Sequence, residues 1–135
     1  GSMMLEENKI VDQAQQVMGN LSQKGHMVTT SQIRKFLTAV NTVTEKVNAY
    51  KLEKTDDYDT LPVELQAQIK YLKVKLAYQI GRNRSKWGNP VEDFEKEAGL
   101  ISLIDGIKSS TKEYEKFAHY IEALVAFHKF YGGKD

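Results

Sequence analysis

The chain has 135 residues, of which 41% are hydrophobic, and its 19 basic side chains nearly balance 18 acidic ones. These values are typical of one globular domain and argue against a general polyanion binder. The absence of cysteine excludes disulfides and thiolate metal sites, and no apolar run reaches membrane-spanning length. Gly1-Ser2-Met3 resembles the remnant of a cleaved tag. We therefore expect one domain over residues 4–135, located in the cytoplasm and without membrane contact.

Helical periodicity is the main pattern in the first half of the chain. Apolar residues recur at three- and four-residue spacing, and alternating β-branched runs are missing. The first helix is predicted over residues 5–18, ending at Gly19-Asn20. The second is predicted to begin at a capping box of Thr29 and Gln32 and to run to about Lys54.

Three further helices are predicted in the second half of the chain. Thr60 is placed as the N-cap of the third, with Pro62 in its first turn, where a missing amide does no harm. The fourth begins at Pro90 and is interrupted by Gly99, and the last follows capping residues at 109–111. The pattern predicts an all-α fold, a single-domain bundle of about five helices.

A basic stretch without acidic residues lies in the predicted third helix and just after it. No Asp or Glu occurs between Glu64 and Glu92. Ordinary surface helices intersperse both signs of charge, so this asymmetry suggests an anionic partner. The six basic and three aromatic side chains of the stretch are Lys70, Lys73, Lys75, Arg82, Arg84, Lys86, Tyr71, Tyr78 and Trp87.

The apolar residues of this helix recur on a face of their own, which we predict to be core. They are Leu65, Ile69, Leu72, Leu76 and Ile80. At roughly 100° per residue, a different face receives Tyr71, Lys75, Tyr78 and Arg82.

Two explanations of this polar face stay open on the pattern alone. Clustered cations neutralise phosphates and aromatic rings stack on unpaired bases, so the face is typical of RNA binding. A solvated helix whose lysines only confer solubility explains the same residues equally well. Arg34 and Lys35 would extend the basic patch if the second and third helices are neighbours.

Catalytic and metal-binding patterns are missing from the sequence. There is no glycine-rich phosphate loop, nucleophile motif or histidine pair at metal-ligand spacing. His128 falls on the apolar side of the last helix, where a hydrogen-bonded core histidine is expected. We expect no catalytic residues, no metal site and no cofactor. An enzyme would gain support from a metal or small molecule bound near His119 or His128.

Three sequence blocks together resemble a known family. In order they read TTSQIRKFL at 29–37, LKVKLAYQIGR at 72–82 and YIEALVAFHKFYGG at 120–133. They are similar to the signature blocks of the small helical subunit of type III-A CRISPR interference complexes, the Csm effectors. Residues 51–61 and 84–89 look less typical of that family.

The resemblance implies a non-catalytic subunit of an antiviral ribonucleoprotein. Such subunits stack in several copies beside backbone subunits that hold the CRISPR RNA, and they contact guide and target RNA without reading sequence. The implied partners are both RNAs, the backbone and large subunits, and other copies of the chain. The expected RNA-binding residues are Arg34, Lys35, Lys75, Tyr78 and Arg82, with Lys73, Arg84 and Lys86 added from the same basic stretch.

A protein–protein adaptor is the alternative. Its basic patch would contact the acidic loop at residues 56–59 of a neighbouring copy and so drive self-assembly. Because exposed charge pairs are screened by salt, oligomers that dissociate at high ionic strength would favour the adaptor.

Overall fold

The computed structural model describes residues 5–25, 27–53 and 59–132, and within these ranges the chain is helical with no β-strand. The all-α prediction is therefore confirmed. After a 3₁₀ turn at Glu7–Lys9 the helices are α1 (Ile10–Gln23), α2 (Thr30–Glu53), α3 (Val63–Arg82), α4 (Pro90–Ala98), α5 (Leu100–Ile107) and α6 (Thr111–Phe130). In the part of the chain described, none of these helices is both long and apolar enough to cross a bilayer.

The six helices correct the prediction of about five, and Gly99 is the reason. Its backbone adopts the left-handed conformation, with φ 69° and ψ 34°, and its amide donates to the carbonyl of Glu95 at 2.8 Å. This conformation suits glycine and ends a helix. Ala98 and Leu100 on either side are fully buried. The bend therefore lets the chain change direction while both flanking side chains stay in the core.

Helix α6 is the centre of the bundle and packs against α1, α2 and α5. Two buried tyrosines join it to other helices through their hydroxyls. Tyr114 donates to the carbonyl of Val40 in α2 at 3.1 Å, and Tyr120 donates to the carbonyl of Ala98 in α4 at 2.9 Å. Every buried side-chain nitrogen or oxygen within the described ranges has a hydrogen-bond partner.

Helices α2 and α3 lie side by side and run antiparallel. Near one end of the pair, the Gln32 side-chain amide donates to Asn83 Oδ1 at 2.9 Å. Further along, Lys46 Nζ donates to Gln68 Oε1 at 2.9 Å. The expectation that these helices are neighbours is therefore correct.

The predicted capping box at the start of α2 is confirmed. The Thr29 amide donates to Gln32 Oε1 at 2.8 Å, and the Gln32 amide donates to Thr29 Oγ1 at 3.1 Å. The predicted end near Lys54 agrees with Glu53 as the last helical residue described. Lys54 and most of the acidic loop, residues 55–58, lie outside the described residues.

The predicted end of the first helix and the predicted start of the third were wrong, because contacts with residues distant in sequence decide both. Helix α1 continues past Gly19 to Gln23, and a Cβ at Gly19 would lie 3.3 Å from the hydroxyl of Tyr131. The glycine is therefore an interior helical residue that makes room for a ring. Thr60 does not cap α3; it forms an isolated bridge with Ser110. Pro62, predicted in the first turn, is instead the N-cap residue before Val63.

Candidate nucleic-acid interface

The predicted division of α3 into a core face and a polar face is confirmed. Its five apolar stripe residues are all buried, with Leu72 and Leu76 at 1% exposure. Tyr71 is 57% exposed and Tyr78 is 67% exposed. Lys75 Nζ lies 5.8 Å from the centroid of the Tyr71 ring, within the range of a cation–π contact.

This polar face forms one wall of an open groove whose other wall is α2. Two adjoining hollows of about 290 and 640 Å³ share Lys35, Tyr71 and Lys75. None of the described residues that line these hollows is acidic. We call this feature the α2–α3 groove, and its principal polar lining residues are Lys35, Thr38, Thr42, Lys46, Gln68, Tyr71, Lys75, Tyr78 and Gln79.

The antiparallel pairing places the predicted cations Arg34 and Arg82 at the same end of this groove. Arg82 is the last residue of α3, and the Gln32–Asn83 hydrogen bond joins the start of α2 to that end. Both arginines are exposed. Lys35, Lys75 and Tyr78 therefore line the groove itself, whereas Arg34 and Arg82 lie at the end where α2 begins and α3 stops.

Lys73 differs from the other predicted residues because it faces α5. Its Nζ lies 2.5 Å from Oδ1 of Asp105 in an ion pair that joins α3 to α5. The Lys73 side chain is about one-third exposed, so part of its stem packs on the protein. A phosphate contact by Lys73 would therefore compete with the carboxylate of Asp105.

Arg84 and Lys86 lie beyond the helix in the turn that connects α3 to α4. Both are exposed. They extend the basic surface past the end of the α2–α3 groove instead of lining it.

Sequence reasoning missed Lys46. Its side chain lines the groove beside Lys35, although its neighbour Glu45 made α2 look mixed in charge at this point. The signal was present in the spacing: Lys46 follows Lys35 by eleven residues, about three helical turns, so both lie on the same side of α2. Lys46 therefore adds a cation to the groove, toward the end opposite Arg34.

The two described histidines, His119 and His128, differ in their surroundings. His128 is 2% exposed, and its Nε2 lies 2.7 Å from the carbonyl oxygen of Val28, which confirms the predicted core histidine. His119 is exposed, and His26 lies outside the described residues. The described ranges contain no group of three or more side chains arranged to hold a metal ion.

Burial raises the pKa of two tyrosine hydroxyls in α6. Burial raises the pKa of Tyr114 to about 12, although its hydrogen bond with Thr44 acts in the opposite direction. Burial also raises the pKa of Tyr120. These hydroxyls stay protonated at neutral pH and serve as donors that hold the helices together.

Comparison with known proteins identifies the family. Residues 5–134 match the family model described as Csm2 Type III-A. The chain belongs to the Csm2 family. A Streptococcus thermophilus protein named CRISPR system Cms protein Csm2 is 33% identical, with 98% of each chain covered. An Enterococcus italicus protein of the same name is 32% identical over 91% of this chain and 84% of that protein.

A more distant Csm2 protein, from Mycobacterium tuberculosis, is 29% identical over 98% of this chain. These matches confirm the resemblance inferred from the three sequence blocks. The chain is therefore a small subunit of the Csm2 type, which belongs to type III-A CRISPR complexes.

Proposed function

We propose that this Csm2-family chain binds RNA in a type III-A CRISPR ribonucleoprotein for antiviral defence. It lines the channel in which guide and target RNA pair, and it contacts the RNA backbone without reading sequence. The observation that carries this proposal is the α2–α3 groove, which combines cations from two helices and has no acidic residue in its described lining.

The side chains of the groove suit backbone contacts. Lysine is a flexible point charge with three donors, and arginine presents a planar fork that matches phosphate oxygens. Lys35, Lys75 and Arg82 would neutralise phosphates, and Tyr78 would pack against ribose or donate its hydroxyl. Tyr78 is 67% exposed, so its ring is free to make that contact.

The role is structural rather than catalytic. Within the described ranges, the groove lining contains no histidine and no carboxylate to move a proton. RNA binding through a few lysines and arginines gives modest affinity, because each exposed contact is screened by salt. Assembly with the backbone and large subunits and with other copies raises the effective concentration and makes weak contacts sufficient.

The decisive experiment removes cations from one end of the groove. We expect the variant Arg34→Ala/Lys35→Ala/Arg82→Ala to stay folded and to lose salt-sensitive binding of labelled RNA. Measuring affinity at several salt concentrations reports the number of phosphates neutralised, at a slope of about 0.7 per phosphate for single strands. A shallower slope in the variant, for RNAs of unrelated sequence alike, would support the proposal.

A matched control removes the same charge elsewhere. Lys24, Lys112 and Lys129 are exposed and lie outside both α2 and α3. Their triple alanine variant changes net charge equally and should bind RNA like the parent chain. Equal loss in both variants would show a general charge effect, and unchanged binding in the groove variant would refute the proposal. Oligomers of the free chain that dissociate as the salt concentration rises would instead favour the adaptor.

A further inference from the structure

The connection between α3 and α4 is a tight, internally bonded turn. We call residues 83–88 the Trp87 turn. Ser85 Oγ donates to the Gly88 carbonyl at 2.9 Å and accepts from the Trp87 amide at 3.2 Å. The Gly88 amide donates to the Ser85 carbonyl at 3.2 Å, and Gly88 has a φ of 118°, which strongly favours glycine. These bonds fix the backbone on both sides of Trp87.

The first residue of the turn, Asn83, and the residue that follows it, Asn89, are both anchored to the last turn of α3. The Asn83 side-chain amide donates to the Gln79 carbonyl at 2.7 Å, and that of Asn89 donates to the Ile80 carbonyl at 2.7 Å. Asn89 is buried and also accepts the Glu92 amide at 3.1 Å, so it caps α4 as well. The turn is therefore a pre-organised projection at the end of the α2–α3 groove.

This projection presents a tryptophan to solvent. Trp87 is 78% exposed, so the core does not require a large apolar side chain at this position. Lys86 Nζ lies 5.0 Å from the Trp87 ring centroid, a cation–π geometry. One cation can cover only one face of an indole, so the other face stays available to a flat partner.

The charge around Trp87 indicates what that partner is. Arg82, Arg84 and Lys86 precede Trp87 within five residues of the chain, and the nearest acidic residue along the chain is Glu92, within α4. Unpaired nucleobases bring both a flat π face and a neighbouring phosphate, and they stack on aromatic side chains whatever their sequence. A surface that offers an open indole face beside several cations fits that chemistry.

We propose that Trp87 is a stacking site for an unpaired nucleobase, with Lys86 and Arg84 neutralising the adjoining phosphate. This inference rests on the proposed RNA binding and adds to it a contact with a base. The groove would follow the backbone, whereas the Trp87 turn would engage a base that is splayed out of a helix or lies in single-stranded RNA. Base-paired RNA, whose faces are stacked internally, would not occupy the site.

The chain offers a direct readout, because Trp87 is its single tryptophan. Labelled oligouridylate is titrated into the full chain while anisotropy of the label and indole fluorescence are recorded together. An abasic strand of equal length and an oligouridylate–oligoadenylate duplex serve as probes without an available base. We expect oligouridylate to change the indole fluorescence along the binding curve, and the other two to raise anisotropy without changing it.

Substitutions separate the indole from the backbone contacts. Stacking contributes about 1–3 kcal/mol per base, so Trp87→Ala should weaken oligouridylate binding at least about fivefold and leave the abasic strand unaffected. Trp87→Phe keeps an aromatic face and should weaken binding less. Because Trp87 is exposed, both variants should fold like the parent chain.

The possible results distinguish the two proposals. Suppose that oligouridylate raises the anisotropy without changing the indole fluorescence, and that Trp87→Ala binds it as tightly as the parent chain does. The stacking site is then wrong and the groove proposal survives. If no RNA binds, the proposed function fails and the stacking site fails with it. If Trp87→Ala binds RNA normally but no longer co-purifies with the other subunits of the complex, Trp87 is a protein contact and the inference is overturned.

Discussion

The hydroxyl of Tyr120 provides a sharp test of how the helices are held together. Tyr120 is completely buried, and its hydroxyl donates to the carbonyl of Ala98, the last residue of α4. The final carbonyls of a helix have no partner within the helix. Replacing Tyr120 with Phe therefore leaves that buried acceptor without its donor.

Tyr114 makes a matched control because the same substitution there leaves its acceptor satisfied. Its hydroxyl also donates to a buried carbonyl, that of Val40, but the Thr44 hydroxyl lies 2.9 Å from the same oxygen and can donate to it when the Tyr114 hydroxyl is removed. A buried acceptor left unpaired costs about 1–3 kcal/mol, whereas a typical lost hydrogen bond costs about 1 kcal/mol. Tyr120→Phe should therefore destabilise the chain by about 1 kcal/mol more than Tyr114→Phe.

Urea denaturation followed by far-ultraviolet circular dichroism measures this difference. With a slope of about 2 kcal/mol per molar urea, Tyr120→Phe should lower the midpoint by about 1 M, and Tyr114→Phe by about half as much. RNA binding should be unchanged in both variants, because neither ring lines the α2–α3 groove. Equal midpoints, or a larger loss for Tyr114→Phe, would refute the reasoning about the end of α4.

Two further predictions concern pH and the turn before α4. Because burial raises the pKa of Tyr114 from 10.0 to about 12, the unfolded chain loses this proton first. The free energy of unfolding should therefore fall between about pH 10 and 12, by about 1.4 kcal/mol per pH unit for this group. Alkaline titration of Tyr114→Phe should show a shallower fall; an unchanged slope would contradict this. Asn89→Ala removes both the cap of α4 and the bond to Ile80, and should cost about 2 kcal/mol in urea denaturation. Asn89→Ser keeps a cap acceptor without placing a charge beside the Ile80 carbonyl and should cost less; equal losses would show that the cap contributes nothing.

Local signals in the sequence predicted much of the helical structure correctly. The Thr29–Gln32 capping box and the cap at Ser110, which accepts the Glu113 amide at 3.1 Å, depend on residues within one helical turn. The buried stripe of α3 likewise follows from its spacing alone. Such features are readable because all the interacting groups are close in sequence.

The two wrong helix boundaries, at Gly19 and Thr60, share a different cause. Glycine is typical of a helix end, yet the ring of Tyr131 lies against Gly19 and α1 continues. Thr60 has the chemistry of a cap, yet it pairs with Ser110 at the start of α6. In both cases a partner distant in sequence decided the outcome, and no local pattern contains that partner.

The sequence by itself determined the helical fold, the face of α3 that is core, and the family, through three blocks in a fixed order. Only the tertiary structure decided the shape of the candidate site. The antiparallel register of α2 and α3 brings Lys35 and Lys46 opposite Tyr71 and Lys75, whereas Lys73 turns to the carboxylate of Asp105. Periodicity assigns a side chain to a face of its own helix, but burial of the apolar stripes decides which helices meet and where.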